Sequence, residues 1–247
     1  LELGVVDEQL ARWRVNLARL AAARPPVPVE PPAGLKADLR DYQRDGLDWL
    51  SFLWDKGIGG VLADDMGLGK TVQTLALIAR AVSGGAGKFL VVAPTSVARN
   101  WAAECAKFTP DLNAVVVTST VAKAAGGLAD QVAAADIVVT SYTLLRMDVA
   151  EYSQIPWAGM ILDEAQFVKN HHSKTHQAAR LLDVPFKLAI TGTPMENNLM
   201  ELWSLLSITV PGLFPSPKIF ERYFRKPIES DGEPGRLALL RRRIKPV

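Results

Sequence analysis

Cysteine is almost absent: Cys105 stands alone in 247 residues. No disulfide can form within the chain, which fits a reducing compartment. Long apolar runs are missing too. None approaches the ~20 residues a helix needs to cross a bilayer, and no basic stretch followed by an apolar core opens the chain as a secretion signal would. The chain therefore reads as soluble and unsecreted, without a membrane partner. Excess charge is small, since 28 Lys+Arg against 26 Asp+Glu leave a net charge of +2. Composition alone does not mark a nucleic-acid binder. What is present is 49% hydrophobic and 22% charged residues, which excludes a disordered, collagen-like or low-complexity chain and supplies a core. The length suits one large domain with a smaller appendage.

Periodicity divides the chain. Leu10, Trp13, Leu17 and Leu20 recur at helical spacing among Arg12, Arg14 and Arg19, predicting an amphipathic helix within residues 1–24. Pro25, Pro26, Pro28, Pro31 and Pro32 then remove too many backbone donors for helix or central strand, so residues 25–35 should run as an extended linker. Over residues 36–214 short apolar runs alternate with segments of helical spacing. The runs are Gly60–Ala63, Phe89–Ala93, Ala114–Thr118, Ile137–Thr140, Met160–Leu162 and Leu188–Thr191; the helical segments include Asp41–Trp54, Thr71–Val82, Val97–Phe108 and Ser173–Leu182. Buried strands alternating with helices predict an α/β fold, a mostly parallel sheet with helices on both faces. From Pro215 the composition changes, with nine basic residues against four acidic ones, a net of +5. Phe220, Tyr223 and Phe224 suggest a short helix there, whose charge suits either a solvated face or a partner.

Two segments carry chemistry. Asp64-Asp65-Met66-Gly67-Leu68-Gly69-Lys70-Thr71 places a glycine-containing turn after a strand and before a helix. Gly67 and Gly69 allow backbone N–H groups to turn inward on an anion, and the helix start adds unpaired donors and a positive dipole end. Lys70 can reach the outer phosphates of a nucleotide and Thr71 can ligate magnesium. Asp64 occupies the place of the first glycine in the strict phosphate-loop pattern. The second segment, Met160-Ile161-Leu162-Asp163-Glu164-Ala165-Gln166, is an apolar strand ending in two carboxylates about ninety residues later. There Asp163 can hold magnesium while Glu164 orients or deprotonates water.

Six segments in order then carry a resemblance: Leu39–Leu50, the phosphate loop, Pro94-Thr95-Ser96 with Asn100-Trp101, Thr140-Ser141-Tyr142, Asp163-Glu164-Ala165-Gln166, and Thr191-Gly192-Thr193-Pro194 running into Glu201–Leu206. The series resembles the first RecA-like lobe of the Swi/Snf-type family of ATP-dependent DNA translocases and chromatin remodellers, over about residues 36–214. The resemblance implies ATP and Mg at the loop, with Gln43 on the adenine. It implies that Pro94, Thr95, Ser96, Ser141 and Tyr142 face one strand of duplex DNA, through contacts that do not read bases. Thr191, Gly192 and Thr193, with Gln166, would couple nucleotide state to the DNA side. It further implies a second RecA-like lobe supplying arginine fingers, so that the intact parent hydrolyses ATP and this lobe alone binds nucleotide but is nearly inactive, and DNA-bound proteins as targets. Residues 215–247 match the start of a helical insertion, and the chain opens on Leu. It is therefore expected to be part of a longer translocase, working in the nucleoid of a bacterium or the nucleus of a eukaryote. Asp65 replaces the family's usual glutamate and keeps its acidity. A DEAD-box-like RNA helicase lobe and a non-catalytic nucleotide-binding scaffold are the rival readings; Gln166 in place of a second aspartate argues against the former.

The three histidines, His171, His172 and His176, lie just after the carboxylate pair. Without a cysteine or a glutamate at the right spacing they do not suggest zinc. With Lys169 and Lys174 they suggest a polar, partly cationic loop near nucleic acid, and the tryptophans, Trp101 among them, read as packing residues.

Overall fold

The computed structural model describes residues 26–123 and 126–247. The helix expected within residues 1–24 lies outside them. Pro26–Pro32 form neither helix nor strand, and Val29 N–H donates to Asp48 Oδ1 at 2.8 Å, tying this segment to the first helix.

The order of elements is α1 (Asp41–Lys56), β1 (Gly60–Leu62), α2 (Lys70–Ser83), β2 (Phe89–Ala93), α3 (Thr95–Phe108), β3 (Ala114–Val116), α4 (Leu128–Gln131), β4 (Ile137–Ser141), α5 (Tyr142–Met147), α6 (Val149–Tyr152), β5 (Gly159–Leu162), α7 (Lys174–Leu181), β6 (Phe186–Ile190) and α8 (Leu199–Thr209). The tail adds α9 (Pro217–Phe220), a π-helical turn over Glu221–Arg225, α10 (Lys226–Glu229) and α11 (Pro234–Ile244).

Every strand pair is parallel, in the order β1-β6-β5-β2-β4-β3. Side chains of a strand alternate between faces, and here both faces are apolar. Phe89, Val91 and Ala93 of β2 enter one core with Ile161, Leu188 and Ile190, while Leu90 and Val92 enter the other with Met160, Leu162 and Ala189. Helices α1, α2 and α3 cover the first face; α5, α6 and α7 cover the second. A sheet sealed in this way can display polar groups only where its strands end.

The strand order positions those ends. The chain crosses from β1 to β2, then returns through β5 and β6 to fill the gap. β6 thus pairs with β1 on one side (Leu62 opposite Ile190) and with β5 on the other (Leu162 opposite Ala189). The loops after β1, β6 and β5 become neighbours on one edge, with β1 and β5 two strand spacings apart, roughly 9.6 Å.

Two elements differ from the periodicity reading for a physical reason. α8 leaves no helical signature because residues Leu202–Thr209 are buried all round, so no polar face marks its turns. β6 begins at Phe186, two residues before the apolar run that marks it in sequence, because Lys187 is also buried. The tail packs on the first core through Phe220, Phe224 and Leu240. Phe214 meets Phe220 and Phe224 edge-on at 4.9 and 5.4 Å, and Trp49 Nε1–H donates to the Pro246 carbonyl at 3.3 Å.

Of the residues expected in a polar, partly cationic loop, His172 and Lys174 are exposed and His171 is half-buried, whereas His176 and Lys169 are withdrawn into the interior. His176 is 2% exposed, and its Nε2–H donates to the Ser204 carbonyl at 3.2 Å, with Ser207 Oγ at 3.1 Å. Burial, opposed by that bond and reinforced by the charges of Arg180, His171 and Lys187, pushes its pKa down to about 4 from 6.5. It is neutral near pH 7. Lys169 is also buried and paired with Glu201 at 3.3 Å and Glu196 at 3.5 Å. Because the unfolded chain protonates His176 first, its contribution is intact above about pH 6.5 and is lost as pH falls toward 4. The expected loss is on the order of 3 kcal/mol. Melting curves between pH 7 and 4 should show a drop that His176→Gln flattens.

Candidate active site

The turn after β1 is built around two left-handed glycines, Gly67 at φ 82° and Gly69 at φ 77°. Gly69 is also the N-cap of α2 and has no side chain with which to cap it, so the helix starts with free N–H donors and the positive end of its dipole. A Cβ at Gly69 would run into the Gln43 amide. Lys70 folds back over its own loop. Its Nζ donates to the carbonyls of Asp64 at 2.6 Å and Asp65 at 2.8 Å. Gln43 braces the loop from α1: its Nε2 donates to the Leu68 carbonyl at 3.1 Å, and its Oε1 accepts from Arg40 N–H at 3.0 Å. Thr71 is half-buried, and Met66 is 82% exposed at the loop's outer edge.

At the end of β5, Asp163 N–H still joins the ladder through the Val92 carbonyl at 2.8 Å. Its carboxylate is held from two sides. Oδ1 accepts from Glu164 N–H at 2.9 Å, and Oδ2 accepts from Trp101 Nε1–H at 2.7 Å. Burial raises the Asp163 pKa; the two hydrogen bonds and the positive charge of Lys70 oppose the shift, while Glu164 adds to it. That Lys70 acts on Asp163 places the phosphate loop and the acidic strand end in one electrostatic field. Each carboxylate oxygen keeps a free lone-pair direction. An acidic group kept short of cations, beside a loop of unpaired N–H donors, has the donor set that a metal-bound polyphosphate requires.

Glu164 adopts φ 49° and ψ 56°, and it is the one non-glycine at positive φ among the described residues. A left-handed residue bearing a Cβ costs roughly 1–2 kcal/mol, and such strain gathers at functional sites. Its carboxylate accepts from Gln166 Nε2 at 2.9 Å, so Gln166 is exposed beside the acid it steers.

The turn after β6 lies against the loop after β1. Thr191 N–H donates to the Leu62 carbonyl at 3.1 Å, and Thr193 N–H closes the turn on Thr191 Oγ1 at 3.1 Å. A Cβ on Gly192 would stand 3.1 Å from Met66 Cγ, so these two turns touch. Lys169 Nζ reaches Thr193 Oγ1 at 3.5 Å.

The residues expected on the DNA side separate into two sets. Thr95 and Ser96 are exposed at the start of α3, whose N-cap, Pro94, offers no side-chain cap. The side chains of Ser141 and Tyr142 are buried, so any contact these two residues make with DNA would fall to the main chain at the start of α5. Ser141 Oγ caps α5 by accepting from Leu144 N–H at 3.2 Å. Tyr142 is 4% exposed, donates its hydroxyl to the Asp163 carbonyl at 2.7 Å and stacks on Phe167. Burial, helped by the charges of Asp163 and Glu164, pushes that hydroxyl's pKa well up, so it stays a donor. Sequence reasoning missed Tyr142 and Trp101 as supports of Asp163, because their partner lies 21 and 62 residues away. No local spacing signals such a pair.

The SNF2-related domain family matches residues 42–247 of this chain. This chain belongs to the SNF2 family. YwqA of Bacillus subtilis (strain 168), a helicase/translocase relative, is 39% identical over 98% of this SNF2 chain, which spans 27% of YwqA. The chromatin-remodelling ATPase INO80 of Sclerotinia sclerotiorum is 41% identical over 84% of the chain, which covers 13% of that protein. The Sulfolobus solfataricus SWI2/SNF2 ATPase core in complex with dsDNA superposes with a TM-score of 0.79 at 36% identity, over 89% of this chain and 45% of that one. The fold is thus that of the RecA-like SNF2 core, and the chain spans about a quarter or less of the length of these two curated relatives.

The strain at Glu164 is directly measurable. Glu164→Gly and Glu164→Ala both delete the carboxylate, but only glycine relaxes a positive φ. The glycine variant should be the more stable by about 1 kcal/mol in denaturant unfolding; equal stability would contradict a strained backbone there.

Proposed function

We propose that this SNF2 chain is the ATP-binding lobe of an ATP-dependent translocase on double-stranded DNA. The observation that carries the proposal is that the Lys70 loop and the Asp163 strand end stand on one edge of the sheet with only β6 between their strands, near enough for the lysine charge to act on the acid. Gly67, Gly69 and the first N–H groups of α2 would cradle the phosphates. Lys70 would exchange the Asp64 and Asp65 carbonyls for phosphate oxygens, a trade between hydrogen bonds of similar geometry. Gln43, already fixed to the loop, stands beside it for the adenine. Thr71 and Asp163 would hold magnesium, which when bound offsets the negative charge gathering on the phosphates. Glu164 would position a water molecule and take its proton, on release from Gln166.

Binding to DNA is supported by the likeness to the Sulfolobus solfataricus SWI2/SNF2 ATPase core, which was solved in complex with dsDNA. The exposed, uncapped start of α3 at Thr95 and Ser96 suits a phosphate backbone, since free helix N–H groups contact phosphate without reading sequence. In nucleotide hydrolases an arginine finger is worth roughly 10³–10⁵ in rate. Supplied by a second lobe, it would make hydrolysis depend on closure around ATP. The relatives include a chromatin-remodelling ATPase and a TATA-binding protein-associated factor, which supports work on protein–DNA complexes. Its place of work would follow the DNA, in a bacterial nucleoid or a eukaryotic nucleus.

Three results test the reading. Lys70→Ala should weaken ATP binding by about 10–100-fold in calorimetry while the melting temperature holds. In the intact parent protein, Glu164→Gln should keep ATP affinity and lower turnover by on the order of 10²–10⁴; unchanged turnover would favour a non-catalytic scaffold. Duplex DNA should stimulate ATP hydrolysis by the full-length parent protein, and stimulation by RNA alone would favour an RNA helicase instead.

A further inference from the structure

Trp101 lies in the middle of α3, packed in the first core and only 1% exposed. Apolar packing accounts for its ring but not for the direction of its N–H. An indole has one donor and no acceptor, and leaving that donor unpaired in a core would cost about 1–3 kcal/mol. A backbone carbonyl is the common remedy, as Trp157 shows by donating to the Tyr152 carbonyl at 2.8 Å and Trp203 by donating to the Phe214 carbonyl at 2.9 Å. Trp101 instead donates to a carboxylate oxygen, Asp163 Oδ2, at 2.7 Å. The other oxygen is held by Glu164 N–H. The main-chain bond alone leaves the carboxylate free to turn about it; the indole supplies a second, fixed point and sets the plane in which the remaining lone pairs lie.

We infer that Trp101 is the positioning residue of Asp163: its indole N–H fixes the carboxylate in the rotation that receives magnesium. The inference rests on the reading of Asp163 as the metal ligand and adds a residue that the phosphate-loop and acidic motifs do not contain. Donors that orient a metal ligand from behind commonly contribute 10–100-fold to metal affinity. Trp101 touches neither nucleotide nor metal in this role and acts only through Asp163.

The test separates the donor from the ring. Trp101→Phe keeps an aromatic ring, and 3-benzothienylalanine placed at position 101 keeps the whole bicyclic shape while replacing N–H by sulfur, so that the core stays filled. A fluorescent ADP analogue is titrated into the protein without and with rising Mg²⁺. Affinity without Mg²⁺ should stay within about twofold of the native protein, and the Mg²⁺ concentration that half-saturates the tight complex should rise about tenfold or more. In steady-state turnover of the full-length parent protein, the same substitutions should need more Mg²⁺ yet recover most of kcat when it saturates. A benzothienyl variant that melts like the native protein and shows the native Mg²⁺ dependence overturns the inference and leaves the indole as packing alone. Asp163→Asn in the same titration tells the two claims apart. If that variant keeps the native Mg²⁺ dependence, the metal-ligand reading fails. If it loses the dependence while the benzothienyl variant keeps it, only the positioning role fails.

Discussion

A parallel sheet covered on both faces confines polar chemistry to the ends of its strands, and the rest of this structure follows from that constraint. The interiors of β2, β4, β5 and β6 are buried without interruption, so reactive groups must stand just beyond them. Lys70 follows β1, Asp163 follows β5, and Thr191 follows β6, the strand between the two. The insertion of β6 is what makes three sequence-distant turns adjacent.

Adjacency has an electrostatic consequence that the site meets by keeping its two charges apart. Asp163 is buried enough for its carboxyl to resist ionisation, and two N–H donors with a nearby lysine counter that tendency without cancelling it. A carboxylate that formed a direct pair with Lys70 would be satisfied and inert. Here Lys70 directs its donors to its own loop, and the acid accepts from an indole and a main-chain amide. Both partners remain available, and both are held in place.

Legibility from sequence followed the range of the interactions. The glycine turn between β1 and α2 was readable because its glycines, lysine and threonine act within one turn, and the acidic pair was readable because it ends an apolar strand. The alternation of strands and helices revealed the α/β class for a similar reason: periods of 2 and 3.6 are local. Features whose cause lies elsewhere in the chain were not readable. The neutrality of His176 depends on Ser204 and Ser207 in α8, and the buried pairing of Lys169 depends on Glu196 and Glu201. The inward turn of Tyr142 depends on the Asp163 carbonyl. In each case the residue type suggested a surface and a distant partner created an interior. The whole of α8 was hidden for the opposite reason, since a helix wetted on no side leaves no stripe.

The lysine bent over its own loop changes what arrival at this site entails. Its ammonium already donates to the Asp64 and Asp65 carbonyls, so an anion arriving there would compete with two short hydrogen bonds already made. Filling the site is therefore an exchange reaction. On the proposed reading, a polyphosphate chain, which offers several acceptors at once, would replace the tether more readily than a lone inorganic anion.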